Sequence, residues 1–199
     1  MHSTRKSYIV LLICWCIYMI AYLNRLNFAG AIEKISTELQ LSESLIGLIP
    51  SIYFVVYALG QICNGFLGDL IKPHIFLSIA ILGTGICNLF VGLSHSFLLI
   101  AIFWSLNGFF QSMYWGTLLK LLSSVFKNEN NKMISTVMTT SMIVANILSW
   151  SLLGQLLVGK SYIYHFIIPA LFSFLMMIVW FIYYHLALKK SIFSLIIIL

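Results

Sequence analysis

The sequence predicts an all-α membrane protein, a bundle of six transmembrane helices. Three observations predict it. Of the 199 residues, 61% are apolar and only 8% are charged, with a mean hydropathy of +1.03. A soluble domain keeps charged residues near a quarter of its total to wet its surface, so most of this surface must meet lipid. The apolar residues fall into six stretches of the length a bilayer requires, about 20 helical residues each. Basic residues mark alternate connections between them.

The expected spans are 8–32, 44–68, 74–93, 97–122, 133–158 and 162–188, within one domain covering 1–199. The first follows Arg5 and Lys6. It is too long for a signal-peptide core and no small-residue cleavage pattern follows it, so it is expected to stay in the mature chain. A polar segment at 33–43 separates it from the second span, and residues 69–73, with Asp69 and Pro73, break the next pair. Residues 94–96 and 159–161 read as tight turns and 127–132 as a hydrophilic loop. With the amino terminus inside, Arg5, Lys6, Lys72, Lys120, Lys127, Lys132, Lys189 and Lys190 fall on the cytoplasmic face. Lys34 and Lys160 fall outside, and Arg25 lies within a span. That bias places both termini in the cytoplasm.

The net charge of +6 forms no patch, so no nucleic-acid partner is expected. Cys14, Cys16, Cys63 and Cys87 all lie in apolar spans without metal-ligand spacing and read as packing residues. No nucleophile triad, metal cluster or nucleotide-binding glycine loop is present. Neither enzyme chemistry nor a cofactor is expected. His74, His95, His165 and His185 fall at span ends, where solvated structural roles are the expectation.

Polar residues form stripes. The first span carries Tyr18, Tyr22 and Arg25 on one helix face. The second carries Tyr53, Tyr57, Gln61 and Asn64, the fourth Asn107, Gln111 and Tyr114, and the fifth Ser135, Thr139, Asn146 and Ser149. The third offers Thr84 and Asn88, the sixth only Ser173 in its middle. Such groups serve either as interhelical glue or as the lining of a polar cavity between spans 1, 2, 4 and 5. Gly108, Ser112 and Gly116 add a small-residue face for close helix contact. Arg25 is costly at mid-span, at about 2.5–3.5 kcal/mol on insertion scales. It either snorkels to the outer interface or offers its planar fork of donors to an anion.

Two segments point to a family. Gly65-Phe66-Leu67-Gly68-Asp69 resembles the loop between helices 2 and 3 of the major facilitator superfamily, Gly-x-Leu-Ala/Gly-Asp-Arg, which helps gate the cytoplasmic side. Leu70, Lys72, Pro73 and His74 depart from its basic portion. The segment from Tyr18 and Tyr22 through Arg25 to Phe28 resembles helix 1 of the organophosphate–phosphate antiporters. Asn107, Gln111 and Trp115 resemble their helix 4 motif. The resemblance spans residues 8–188. It implies an amino-terminal half of a major facilitator fold and transport of a small anion, an organic phosphate or carboxylate, by alternating access. Arg25 takes the place of the family's substrate arginine. Tyr18, Tyr22, Tyr57, Gln61, Asn107, Gln111, Trp115 and Asn146 are expected around it, with Gly65, Gly68 and Asp69 in the gating loop. Gln61 stands where the family carries a lysine, and Met142 near its histidine. The expected partners are the substrate, the lipid bilayer of the cell membrane, and a second six-helix half or second copy. The alternative is a non-transporting fragment or a regulatory partner of a full transporter.

Overall fold

The computed structural model describes residues 2–126, 131–153 and 157–188. Lys127, Lys189 and Lys190, most of the expected 127–132 loop and residues 191–199 lie outside the described residues, as do the side chains of Arg5 and Lys6. The described regular structure is helical throughout. It comprises α1 (His2–Glu38), α2 (Glu43–Leu70), α3 (Pro73–Leu93), α4 (Phe97–Gln111), α5 (Tyr114–Ser123), α6 (Asn131–Ile147) and α7 (Ile163–Tyr183). α6 continues as a π-helical segment, Leu148–Leu153, and α7 as another, Tyr184–Leu188. Six helical stretches are long and apolar enough to cross a membrane by length and composition, α4 and α5 together making one.

Local chemistry sets the helix ends. The turn out of α1 passes through Gln40 at φ 52°. The Ser42 hydroxyl then caps α2 by accepting from the Leu45 N–H at 3.4 Å, a usual N-cap role. Pro73 opens α3, where its missing N–H costs nothing. The break between α4 and α5 has a visible cause. The Phe109 carbonyl accepts from the Asn64 amide at 3.1 Å and from the Ser112 hydroxyl at 2.7 Å. These side chains compete with the backbone ladder.

The helices run alternately up and down, and contacts tie each end. On the face of the N-terminus Lys120 meets Asp69 at 3.0 Å, and the His74 and Tyr184 rings stack at 4.0 Å. On the opposite face the Glu38 carboxylate accepts from Ser161 Oγ at 3.1 Å and the Tyr162 N–H at 3.3 Å. Tyr162 Oη in turn donates to the Ser94 carbonyl.

α3 packs on α4 and α7, α2 on α4, and α1 on α6 and α7. Glycines permit the closest approaches. A Cβ at Gly83 would lie 2.4 Å from Phe110, one at Gly108 2.7 Å from the Tyr53 carbonyl, and one at Gly60 2.6 Å from Ser112 Oγ. Gly116, expected on the same close-contact face, lies beyond the break and meets nothing within 4 Å. Large apolar side chains of α2, including Phe54, Ile62 and Phe66, point outward, as a lipid solvent permits.

The core is divided in depth. One apolar cluster takes Val10, Leu11, Cys14, Ile17, Tyr18 and Ala21 from α1. The other takes Phe28, Ala31 and Ile35. Between them, on the same helix, sit Asn24, Arg25 and Asn27 at mid-depth.

Candidate functional site

The polar layer faces two ways. Towards α3 and α7, Asn24 Nδ2 donates to the Pro169 carbonyl at 3.1 Å and Ser173 Oγ at 2.9 Å. Asn27 Nδ2 donates to Asn88 Oδ1 at 2.7 Å and to the His165 carbonyl at 3.0 Å. The last bond has a specific reason. Pro169 lies inside α7 and has no N–H, so the carbonyl one turn earlier, that of His165, loses its helical donor. In a membrane such a group must be satisfied internally, and Asn27 does it.

Towards α2 the layer presents Arg25. Its Nε donates to Tyr53 Oη at 3.0 Å. The guanidinium carbon lies 4.3 Å from the Tyr57 ring centroid, 5.1 Å from Tyr22 and 6.0 Å from Tyr53. These are cation–π distances, which stabilise a desolvated guanidinium. Among the described residues no carboxylate pairs with it; the salt bridge found is Lys120–Asp69. The guanidinium packs sideways onto α2, against Tyr53 and Tyr57.

Around this centre the other expected residues fall into groups. Gln61 Nε2 donates to Tyr57 Oη at 2.8 Å, adding a neutral amide to the Tyr57–Arg25 contact. Tyr18 joins Tyr22 at 5.1 Å between ring centroids and Trp115 at 5.2 Å, making an aromatic wall from α1 to α5. Asn107 and Gln111 are buried. They donate to the backbone carbonyls of Asn24 at 3.2 Å and Ala21 at 2.8 Å, clamping α4 to α1 in the turn that precedes Arg25. Asn146 is half-buried on α6 and donates to the Met142 carbonyl of its own helix. No hydrogen bond or ring contact among the described residues joins it to the Arg25 group.

At the end of α2, Lys120 of α5 donates to the Gly68 carbonyl at 2.9 Å and to Asp69 at 3.0 Å. Gly65 has open space where a Cβ would stand. A cavity of about 140 Å³ runs here between α2 and α5, from Gln61 to Lys120.

Several participants were not among the expected site residues. Tyr53, fully buried and stacked on Trp104 at 5.1 Å, holds Arg25 directly. Its signal was its place on the stripe with Tyr57 and Gln61. Asn24 and Asn27 flank Arg25 in sequence, yet their partners on α3 and α7 are non-local. His165 is buried, 5% exposed, where a solvated role was expected, because Lys34 of α1 packs over it.

Comparison with known proteins agrees with this architecture. The family model described as Major Facilitator Superfamily matches residues 14–193. The "Probable hexose phosphate transport protein" of Chlamydia trachomatis is 29% identical over 124 residues, covering 62% of this chain and 27% of that protein. The "Membrane sensor protein UhpC" of Escherichia coli is 33% identical over 108 residues, covering 54% of this chain and 24% of that protein. The chain thus spans about a quarter of the length of these relatives. In structure it is similar to a bacterial homolog of the human lysosomal transporter Spinster, with a TM-score of 0.77 and 18% identity over 89% of this chain and 43% of that one.

Proposed function

The chain belongs to the Major Facilitator Superfamily, and on that premise we propose that it supplies one six-helix bundle of a carrier for a small anion, an organic phosphate or carboxylate, anchored at Arg25. It is a multi-pass integral membrane protein. The observation that carries the proposal is the state of Arg25: a mid-membrane guanidinium braced by tyrosines, with no carboxylate beside it among the described residues. A cation held there without a countercharge is costly, and a substrate anion supplies the missing charge. The guanidinium's five donors form a fork that suits phosphate or carboxylate oxygens.

The remaining residues take roles consistent with their contacts. Tyr53 and Tyr57 orient the guanidinium, Gln61 holds Tyr57, and Tyr18, Tyr22 and Trp115 form the apolar wall. Asn107 and Gln111 keep α4 and α1 in register, and Asn146 lines the α6 side. Gln61 brings a neutral donor where a lysine would double the charge, so this bundle favours a monoanion over a dianion. Lys120 supplies the basic partner for Asp69 that Leu70 does not, and with Gly65 and Gly68 forms the cytoplasmic gate. The distribution of basic residues supports both termini in the cytoplasm, and we place the protein in the cell membrane. Alternating access rocks two bundles about one central site, so the site is completed by a second six-helix half or a second copy.

A second reading has its own support, the 33% identity to a membrane sensor protein. In it the same site binds the anion and reports it to a partner without moving it. Ligand binding by wild type, Arg25→Lys and Arg25→Gln at matched expression tests the anchor. Lysine keeps the charge and loses the fork, so binding at the central site should fall by about tenfold in Arg25→Lys and be lost from that site in Arg25→Gln. Equal binding by all three would remove Arg25 from the site. Vesicle uptake by the completed carrier then separates transport from sensing.

A further inference from the structure

A second cation on α1 stands apart from the Arg25 site. At 3.6 residues per turn, Lys34 lies about 180° around the helix from Arg25 and roughly 13 Å further along it. It faces a cavity of about 250 Å³ between α1, the π-helical segment after α6 and the start of α7. Its walls include Asn27, Gly30, Lys34, Ser149, Trp150 and His165.

The chemistry of that wall is one-sided. Lys34 Nζ donates to the Leu157 carbonyl at 2.5 Å and approaches His165 Nε2 at 3.3 Å. An ammonium carries three donors, so among the described residues the protein occupies two and one is left. With an ammonium at Nε2, that nitrogen accepts and the imidazole carries its proton on Nδ1. Gly30 leaves room for this edge, since a Cβ there would lie 3.4 Å from His165 Nδ1. The Ser149 hydroxyl and the Trp150 indole N–H have no protein partner among the described residues. Among the described residues no carboxylate lines the cavity. Asn27 spends its amide N–H groups on Asn88 and His165, and its Oδ1 is unpartnered. Three unspent donors from two chain segments, one of them charged, suit a tetrahedral oxyanion better than a planar carboxylate.

We infer that this cavity is a second anion site, distinct from the one at Arg25, that takes a phosphate ester. The volume is below the roughly 300–1,000 Å³ of pockets that engulf a drug-sized ligand and fits a headgroup-sized molecule. The cavity opens beside Trp150, which is 63% exposed. An aromatic at the membrane–water boundary is the usual neighbour of headgroups. Two sources share this chemistry: a glycerophosphate headgroup of a membrane lipid, and a soluble sugar- or glycerol-phosphate on its way to the central site.

The test uses the full chain, purified in detergent and in nanodiscs, as wild type, Lys34→Gln, Lys34→Arg, Ser149→Ala and Arg25→Gln. The probes are glycerol phosphate in detergent, and phosphatidylglycerol against phosphatidylcholine in nanodiscs. Binding is read by ³¹P line broadening and by lipid retained in native mass spectrometry. Lys34→Gln should weaken binding of at least one phosphate probe by roughly tenfold or more. Ser149→Ala should weaken it less, and Lys34→Arg should retain it. The same binding should persist in Arg25→Gln, which separates this site from the proposed central one. Retention of phosphatidylglycerol alone identifies the lipid source, and glycerol phosphate alone the soluble one; either supports the site. Undiminished binding of both probes in Lys34→Gln and Ser149→Ala, loss of all phosphate binding in Arg25→Gln, or binding of neither probe by wild type overturns it.

Discussion

Replacing Gly108 by alanine should loosen the hold on Arg25 without touching it. The new Cβ would lie 2.7 Å from the Tyr53 carbonyl and 3.1 Å from its ring. The obstacle is backbone, which cannot rotate away, so α2 and α4 must part by about 0.7 Å to reach an ordinary contact of 3.4 Å. Overpacking of this kind costs about 1–3 kcal/mol, and alanine's better helix propensity returns about 1 kcal/mol. A net loss of about 1 kcal/mol is expected. Tyr53 Oη holds Arg25 Nε at 3.0 Å, so a displacement of α2 strains that bond and should weaken anion binding by several fold. Gly116→Ala is the control, on the same stripe in sequence but with nothing within 4 Å. It should be neutral or slightly stabilising and leave binding intact. Thermal unfolding in a fixed detergent, with ligand binding on the same samples, measures both. If the two variants lose equal stability, or if Gly108→Ala leaves both stability and binding untouched, the close α2–α4 approach is not what positions Tyr53.

Asn27→Ala should cost about 1–3 kcal/mol, the sum of two membrane hydrogen bonds. Part of that cost should vanish in a Pro169→Ala background, because residue 169 then supplies the His165 carbonyl with its helical donor; additive losses in a double-mutant cycle would refute the assignment. Reporter fusions after Lys132 and Lys190 should read cytoplasmic and those after Glu38 and Lys160 external, with an external reading at Lys190 breaking the six-span orientation. In proteoliposomes the 199-residue chain should exchange phosphate and small organic anions only when a second six-helix bundle is supplied. Robust exchange by the chain alone would favour a homodimer.

Helix number, membrane solvent and family were legible in the sequence because each is a local or additive property. Six apolar runs of bilayer length state themselves residue by residue, and the Tyr18–Arg25 and Asn107–Trp115 segments carry the resemblance in consecutive positions. Arg25 could be singled out because a mid-span charge is expensive wherever it packs. What each polar group does was decided by tertiary structure alone. Asn107 and Gln111 occupy the same stripe pattern as Tyr57 and Gln61, yet they spend their amides on carbonyls of α1, while Gln61 bonds Tyr57 and Tyr57 meets the guanidinium. Gly108 and Gly116 repeat one spacing, and only the first meets a neighbouring backbone. Lys34 and His165 lie at opposite ends of the sequence and meet because α1 and α7 run side by side. Helical periodicity says which residues share a face. A side chain's partner depends on which helix lies across from that face and at what depth, and this is settled by the packing of six helices against one another.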